Sequence, residues 1–260
     1  MKPSGIVTLL SDFGLKDPFV GVMKGVVLQW FPEARLVDLT HDIPAHDVLA
    51  AAFWLAAAEP WFAPGTVHLA VVDPGVGSSR AALAMRAHGH LFVGPDNGLF
   101  ELVCRKGPPD EVRSIDAERL GLGLSSRTFH GRDLFAPVAA LLASGKLPLE
   151  EVGPLTTPQG NLAWPAVSQN GVRSQGEVVV IDRFGNLISN IEPAAALAAG
   201  SRARVGAAAI TCAGTYSDVE PGELVAYVGS FGQLEIALRD GSAAQHLGAE
   251  RGTPIILEGP

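Results

Sequence analysis

The stretch His68-Leu-Ala-Val-Val-Asp-Pro-Gly-Val-Gly-Ser-Ser-Arg80 is an apolar run, Leu69 to Val72, that stops at a carboxylate. It then turns through Pro74, Gly75 and Gly77 and reaches a cation, Arg80, seven residues beyond the acid. A buried strand ending this way is how an open α/β sheet presents a reactive group, because loops at the carboxyl ends of such strands line the ligand crevice. Pro74 cannot continue a ladder, and the glycines let backbone pass close to a ligand. A tight turn with a capping aspartate has the same local spelling. The other strand ends decide between the two.

Working outward, Ile6 to Leu10 reads as a buried strand closed by Ser11-Asp12-Phe13-Gly14. Asp17 as N-cap and Pro18 at the first helical position predict a helix from Phe19 to Phe31. Val37 to Thr40 is a second strand ahead of His41-Asp42-Ile43-Pro44, and Asp47 can cap a helix from Val48 to Ala58. Thr66 to Val72 is the third strand. Ala81 to Met85 and Leu91 to Val93 flank the turn at His88-Gly89-His90, and Gly94-Pro-Asp-Asn-Gly98 closes the second of them. A looser, charged segment leads to Ser126-Arg-Thr-Phe-His-Gly-Arg-Asp133 and an apolar helix from Leu134 to Leu142, for which Asp133 reads as a cap.

This alternation predicts an α/β, sandwich-like N-terminal domain, residues 1–165, with a mostly parallel or mixed sheet and helices on both faces. Residues 147–174, rich in Pro, Gly, Gln and Asn, read as a linker. Beyond it come short apolar runs from Glu177, Leu187, Ala208, Leu224, Leu234 and Ile255, with helical signals only at Ala194 to Ala199 and Ala243 to Leu247. The C-terminal domain, residues 172–260, is therefore expected to be a smaller β-barrel or sandwich.

Composition narrows the function. The 260 residues are 47% hydrophobic and carry a net charge of -8, which supports a full core and argues against a nucleic-acid partner. No uncharged apolar run reaches the roughly 18 residues of a membrane span. The N-terminus does not read as a signal peptide, and Cys104 and Cys212 form neither a zinc motif nor a disulfide framework, so a cytoplasmic setting is expected. Gly75-Val-Gly77-Ser-Ser-Arg80 has Arg where a dinucleotide fingerprint needs its third Gly, and lacks the P-loop Lys. His41, Asp42, His46 and Asp47 have the residue types of metal ligands but no second cluster at definite spacing, so no metal is expected.

Asp12 and Asp17 in one strand-end loop suit a ribose diol or a substrate ammonium, and equally a turn acid plus a helix cap. His130 is a candidate acid–base group or a hydrogen-bonded surface residue. Asp182-Arg-Phe-Gly-Asn186 reads as a hairpin turn.

Taken in order, SDFG with Asp17, THDI at 40–43, VDPGVG with Arg80, GPDNG at 94–98, TFHGRD at 128–133, DRFGN at 182–186 and Gly229-Ser230 resemble the S-adenosyl-L-methionine (SAM) hydroxide adenosyltransferases, relatives of the SAM-dependent fluorinase and chlorinase. The resemblance runs nearly the whole length. It implies hydrolysis of SAM to adenosine and L-methionine without a cofactor, by attack of water or hydroxide on C5′. It further implies a homotrimer, with substrate between the N-terminal domain of one subunit and the C-terminal domain of its neighbour.

The family's water-activating Asp, Arg and His would fall on Asp73, Arg80 and His130. Asp12 would take the ribose hydroxyls; Asp17, Asp182, Asn186 and Ser230 would lie around ribose and the methionine end. Phe184 would border the adenosyl group, and Asn97 belongs to the matched loop. A histidine polarised by Asp73 could accept the water proton, with Arg80 orienting the carboxylate or holding hydroxide. The halogenases resemble one another in having Tyr at the positions of Asp73 and His130, and Ser at that of Gly131. Ala45, Phe231 and Arg239 also depart from the pattern, Ala45 from a common Pro and the other two from the fluorinase Arg and Asn. A halogenase and a non-catalytic SAM- or adenosine-binding module are the alternatives.

Overall fold

In the computed structural model, which describes residues 1–123, 125–193 and 197–260, the chain divides into two compact units, Met1–Ala163 and Trp164–Pro260. The first contains β1 (Ile6–Ser11), α1 (Phe19–Trp30), β2 (Arg35–Thr40), α2 (Val48–Ala58), β3 (Val67–Val71), β4 (Ala82–Ala87), β5 (His90–Pro95), α3 (Glu101–Lys106), β6 (Glu111–Ser114), a π-helical turn at Gly131–Phe135 and α4 (Ala136–Ala143). Its sheet runs β2-β1-β3-β5-β4-β6. The first four strands in that order are parallel; β4 pairs antiparallel with β5 and β6.

Every residue of β3 is buried, as expected of a parallel strand covered on both faces. Val7, Leu9, Leu69 and Val71 face one way, into a core with Met23 and Val27 of α1 and Val138 and Leu142 of α4. Thr8 and His68, one residue out of phase, lie on the other face and share a 2.8 Å hydrogen bond. There α2 packs, apolar all round and capped by Asp47, whose side chain accepts from Ala50 N at 3.0 Å. The chain steps from β1 out to β2 and then back past β1 to β3. This reversal of direction is where open α/β sheets place their ligand crevice.

Four local expectations change. Pro18, not Asp17, is the N-cap of α1, and no side chain caps that end. Pro18 takes φ -76° and ψ 0°, so helical geometry starts one residue later and leaves Asp17 exposed in the loop. Asp133 is no cap: it lies inside the π-helical turn, accepting from Ser126 N and paired with Arg132. The charged segment holds α3 and β6, elements too short for periodicity to reveal. The expected linker is largely fastened down: Leu149 and Val152 are core residues of the first unit, and Gln159 N and Gly160 N both donate to Asp96.

The second unit contains β7 (Ser168–Asn170), β8 (Arg173–Ile181), β9 (Leu187–Ser189), β10 (Arg202–Val205), β11 (Ala208–Cys212), β12 (Leu224–Val228), β13 (Leu234–Leu238), α5 (Ala243–Leu247) and β14 (Pro254–Glu258). The order β14-β10-β11-β12-β13-β9-β8 closes through a β14–β8 pairing, giving a seven-stranded barrel with β7 added beside β8. Val178, Leu187, Ala203, Ile210, Ala226, Leu234, Ile236 and Ile255 fill it. The barrel is the expected C-terminal architecture, with β7 and β10 as additional strands. Of the expected helix at 194–199, residues 194–196 lie outside the described residues and 197–200 are not helical. Among the described residues no helix is long and apolar enough to cross a membrane.

Candidate active site

Asp12 follows β1, Asp73 follows β3 and Asn97 follows β5, so three polar groups stand at the carboxyl ends of parallel strands. Arg80 precedes antiparallel β4 and so arrives at the same edge; His130 opens the π-helical turn as its N-cap.

Arg80 is the hub. Its Nε donates to Asp73 Oδ1 at 2.9 Å and its Nη2 to Asp73 Oδ2, a two-pronged ion pair. The second Nη2 hydrogen reaches His130 Nδ1 at 3.0 Å, and Nη1 donates to Ala81 O at 3.1 Å. Side-chain exposure is 5% for Asp73 and 10% for Arg80, so this pair is shielded from water. The guanidinium also lies 5.3 Å from the Phe135 ring centroid.

Because guanidinium is donor-only, Nδ1 of His130 must accept, which puts the imidazole proton on Nε2. Burial, and then the adjacent Arg80 charge, hold the His130 pKa below its ordinary value, against smaller upward pulls from Asp73 and Asp133. The expectation of a histidine polarised directly by Asp73 is therefore revised: Arg80 stands between them.

The loop after β3 fits tightly. Gly77 has φ +80°, and a Cβ there would come 3.0 Å from Arg127 O, so the turn needs glycine for both conformation and space. Asn97 braces the same strand end: Nδ2 donates to Val72 O at 2.8 Å, and Oδ1 accepts from Leu99 N at 3.2 Å. Its amide thus acts on the backbone preceding Asp73.

Asp12 Oδ2 accepts from His46 N at 2.9 Å, and His46 adopts φ 67° to present that N–H. His41 ties the adjacent loops together. Its Nδ1 meets Ser11 Oγ at 2.7 Å, its carbonyl accepts from Gly14 N at 2.8 Å, and its Nε2 lies 3.1 Å from Asp38. Of the four residues that had resembled metal ligands, the side chains of His41 and Asp47 are engaged in these contacts and in the α2 cap. Among the described residues no three His, Cys, Asp or Glu side chains are grouped to hold a metal ion.

Residue types alone did not single out Phe13, Phe19 and Phe129. Their rings meet at centroid distances of 5.4–6.0 Å and join the Asp12 loop to the His130 loop. Their signal was position, one aromatic beside each polar loop residue.

In the second unit Asp182 and Asn186 form the expected hairpin between β8 and β9. Asp182 Oδ1 accepts from Phe184 N and Asn186 N, both at 2.9 Å, and Asp182 Oδ2 accepts from Asn186 Nδ2 at 2.8 Å. This leaves Phe184 75% exposed at the tip. Ser230, also exposed, lies in the turn between β12 and β13, which closes with Gly229 N donating to Gln233 O at 2.8 Å.

Residues 7–153 match the SAM hydroxide adenosyltransferase N-terminal domain and residues 176–256 the C-terminal domain of that family. The chain is 41% identical to the (R)-S-adenosyl-L-methionine hydrolase of Thermus thermophilus, over 99% of this chain and 100% of the relative. The Salinispora tropica enzyme of the same name is 40% identical over 97% of each. A fluorinase of Actinoplanes sp. is further away, at 27% over 72% of this chain and 71% of its own. The crystal structure of an uncharacterized conserved protein from Thermotoga maritima superposes with a TM-score of 0.87 at 36% identity, covering 96% of this chain and 99% of that one. Both halves of the chain are matched, and in the order the loops occur: the chain belongs to the SAM hydroxide adenosyltransferase family.

Proposed function

We infer that this protein hydrolyses S-adenosyl-L-methionine to adenosine and L-methionine, and that it takes the (R) form for which its relatives are named. The observation that carries the reading is the Arg80 hub, which holds a carboxylate and a neutral imidazole together at the carboxyl edge of the sheet. Water attacks C5′ in line with the C5′–S bond. The new O–C5′ bond forms as the C5′–S electron pair leaves to sulfur, releasing methionine as a neutral thioether. No general acid is needed for that departure, and the sulfonium already activates the carbon, so the reaction calls for no cofactor.

The work lies on the nucleophile. Asp73 is acceptor-only and orients a water hydrogen, while His130, with its proton on Nε2, offers a donor to the water oxygen. As the bond forms, the oxygen becomes a strongly acidic oxonium, which gives up its proton even to a carboxylate held by Arg80. Fixing the water in line supplies several kcal/mol by positioning alone. Asp12 takes the ribose hydroxyls, with Asp17 near by. Asp182, Asn186, Phe184 and Ser230 hold the remainder of the substrate, and Asn97 acts through the β3 backbone.

Halide chemistry is disfavoured at Gly131. A Cβ there would come 3.0 Å from Met23 Sδ and 3.3 Å from the Phe129 ring, so a serine at this position would have to displace them. The reading includes a homotrimer in which a neighbour's C-terminal domain completes each site. Two observations support another copy: Phe19, Val22, Leu28 and Trp30 of α1 are exposed apolar side chains, and β2 is an edge strand with Val37 exposed. Two free, half-buried cysteines fit the cytoplasmic setting proposed with it.

The test is incubation with (R)- and (S)-SAM in 18O-water. Adenosine carrying one 18O at its 5′ oxygen, formed with unlabelled methionine from the (R) form, is expected. Unlabelled adenosine, or no turnover of either form, would overturn the reading.

A further inference from the structure

Behind the Asp182–Asn186 hairpin, the barrel holds a polar chain that the hydrolytic chemistry does not use. Asn186 Nδ2 donates to Asp182 Oδ2 and also to Tyr216 Oη, both at 2.8 Å. Tyr216 Oη is hydrogen-bonded to Tyr227 Oη, and Tyr227 Oη lies 2.9 Å from Glu235 Oε2. The tyrosine rings pack with centroids 4.9 Å apart. Glu235 is buried, and burial together with the Asp182 charge pushes its carboxyl above the ordinary range, while the Tyr227 bond pulls it down.

A proton inventory fixes the amide. Asp182 is acceptor-only, so the Asn186 atom facing it must be the NH2, and the second hydrogen of that NH2 goes to Tyr216. A phenol oxygen has two lone pairs, so Tyr216 accepts from Asn186 whichever way the Tyr216–Tyr227–Glu235 protons run. Both Nδ2 hydrogens are thus committed. Asn186 Oδ1 is left with no hydrogen-bond partner among the described residues.

The chain also reaches the second substrate segment of this unit. A Cβ on Gly229 would overlap the Glu235 carboxylate, so the Gly229-Ser230 turn is seated directly on the far end of the relay. Glu235 therefore supports Ser230 from one side and, through the two phenols, Asn186 from the other.

We propose that Tyr216 and Tyr227, anchored on buried Glu235, are positioning residues that hold the Asn186 amide with Oδ1 turned to the substrate, as an acceptor reading an N–H or O–H donor of that substrate. The substrate part of this proposal rests on the hydrolase reading; the relay itself does not.

Two measurements separate them. In 15N-labelled protein the Asn186 side-chain NH2 is expected to show two distinct, exchange-protected protons. Tyr216→Phe, which removes only a hydroxyl at a partly exposed site, should lose the protection of one of them, and Tyr227→Phe should weaken it. In turnover, both variants should raise KM for SAM about fivefold or more with kcat within twofold and an unchanged Tm. Glu235→Gln, which keeps an acceptor for Tyr227, should leave KM near normal. Unchanged amide protection in Tyr216→Phe overturns the relay. Lost protection with unchanged KM, or a Glu235→Gln variant as impaired as Tyr227→Phe, overturns its positioning role. If the wild type does not turn over SAM, the hydrolase reading fails and the amide signal still decides the relay.

Discussion

At the scale of single residues, Arg80 organises the candidate site by where its hydrogens go. Four of its five N–H groups are engaged, two on Asp73, one on His130 and one on Ala81 O. Lysine cannot reproduce that fork, so Arg80→Lys is expected to lower kcat about 10²-fold with little change in KM, measured as initial rates of adenosine release. His130 gives a pH prediction. Its pKa lies below the ordinary value because burial and Arg80 disfavour the imidazolium, so on acidification it takes up its proton later than a free histidine does. NMR titration of its ring protons should show a midpoint below 6.5, moving upward in Arg80→Gln, where the repelling charge is gone. The resemblance, rather than any single loop, pointed to Asp73, Arg80 and His130 together, and the structure brings the three into one hydrogen-bonded group. Their order in space was not legible in the sequence, because a bond between Arg80 and a histidine fifty residues away depends on side-chain direction rather than spacing.

At the scale of elements, the strand ends that supply the site were readable because each apolar run stops at a polar or Gly-Pro cluster. Contacts that fasten one loop to another were not. The strap after α4 is the clearest case: Asp96 accepts from Gln159 N and Gly160 N, and a Cβ on Gly160 would overlap the Asn97 backbone. Composition alone makes that segment look like a free linker. Asp96→Ala leaves two amides without their carboxylate and should cost about 1–3 kcal/mol, read by urea unfolding, with new proteolytic cleavage near residue 159. On the face of the sheet covered by α2, His68 is stacked on Phe92 and its pKa is pushed down to about 3, first by burial and then by His90. The fold keeps His68 neutral, whereas the unfolded chain takes up a proton below about 6.5. Stability is therefore full above that value and falls by about 1.4 kcal/mol per pH unit as pH drops toward 3. His68→Phe should be less stable at neutral pH, where Thr8 loses its partner, yet show a shallower decline on acidification in urea melts at pH 7 and pH 5.

At the scale of the whole molecule, the sequence pattern changes from strand–helix alternation to short strands across residues 147–174, and the chain divides into an α/β unit and a β unit within that stretch. Closure of the barrel does not follow from that pattern, because nothing in a five-residue apolar run such as Pro254–Glu258 names its partner. The assembly prediction also belongs here. If the proposed homotrimer forms through α1, Val22→Glu, at an exposed site, should give monomers in sedimentation velocity where the unsubstituted protein sediments as a trimer, with loss of turnover and an unchanged far-UV spectrum. The β8–β14 pairing carries a consequence for synthesis. Arg173–Glu177 must wait unpaired on that side until Pro254–Glu258 has emerged from the ribosome, because those two segments are each other's partners. The α/β unit has no such debt once residue 163 has emerged. Vectorial synthesis thus leaves a folded first unit tethered to an open, edge-exposed second unit while residues 178–258 are being made, and it is in that interval that a chaperone would find this protein.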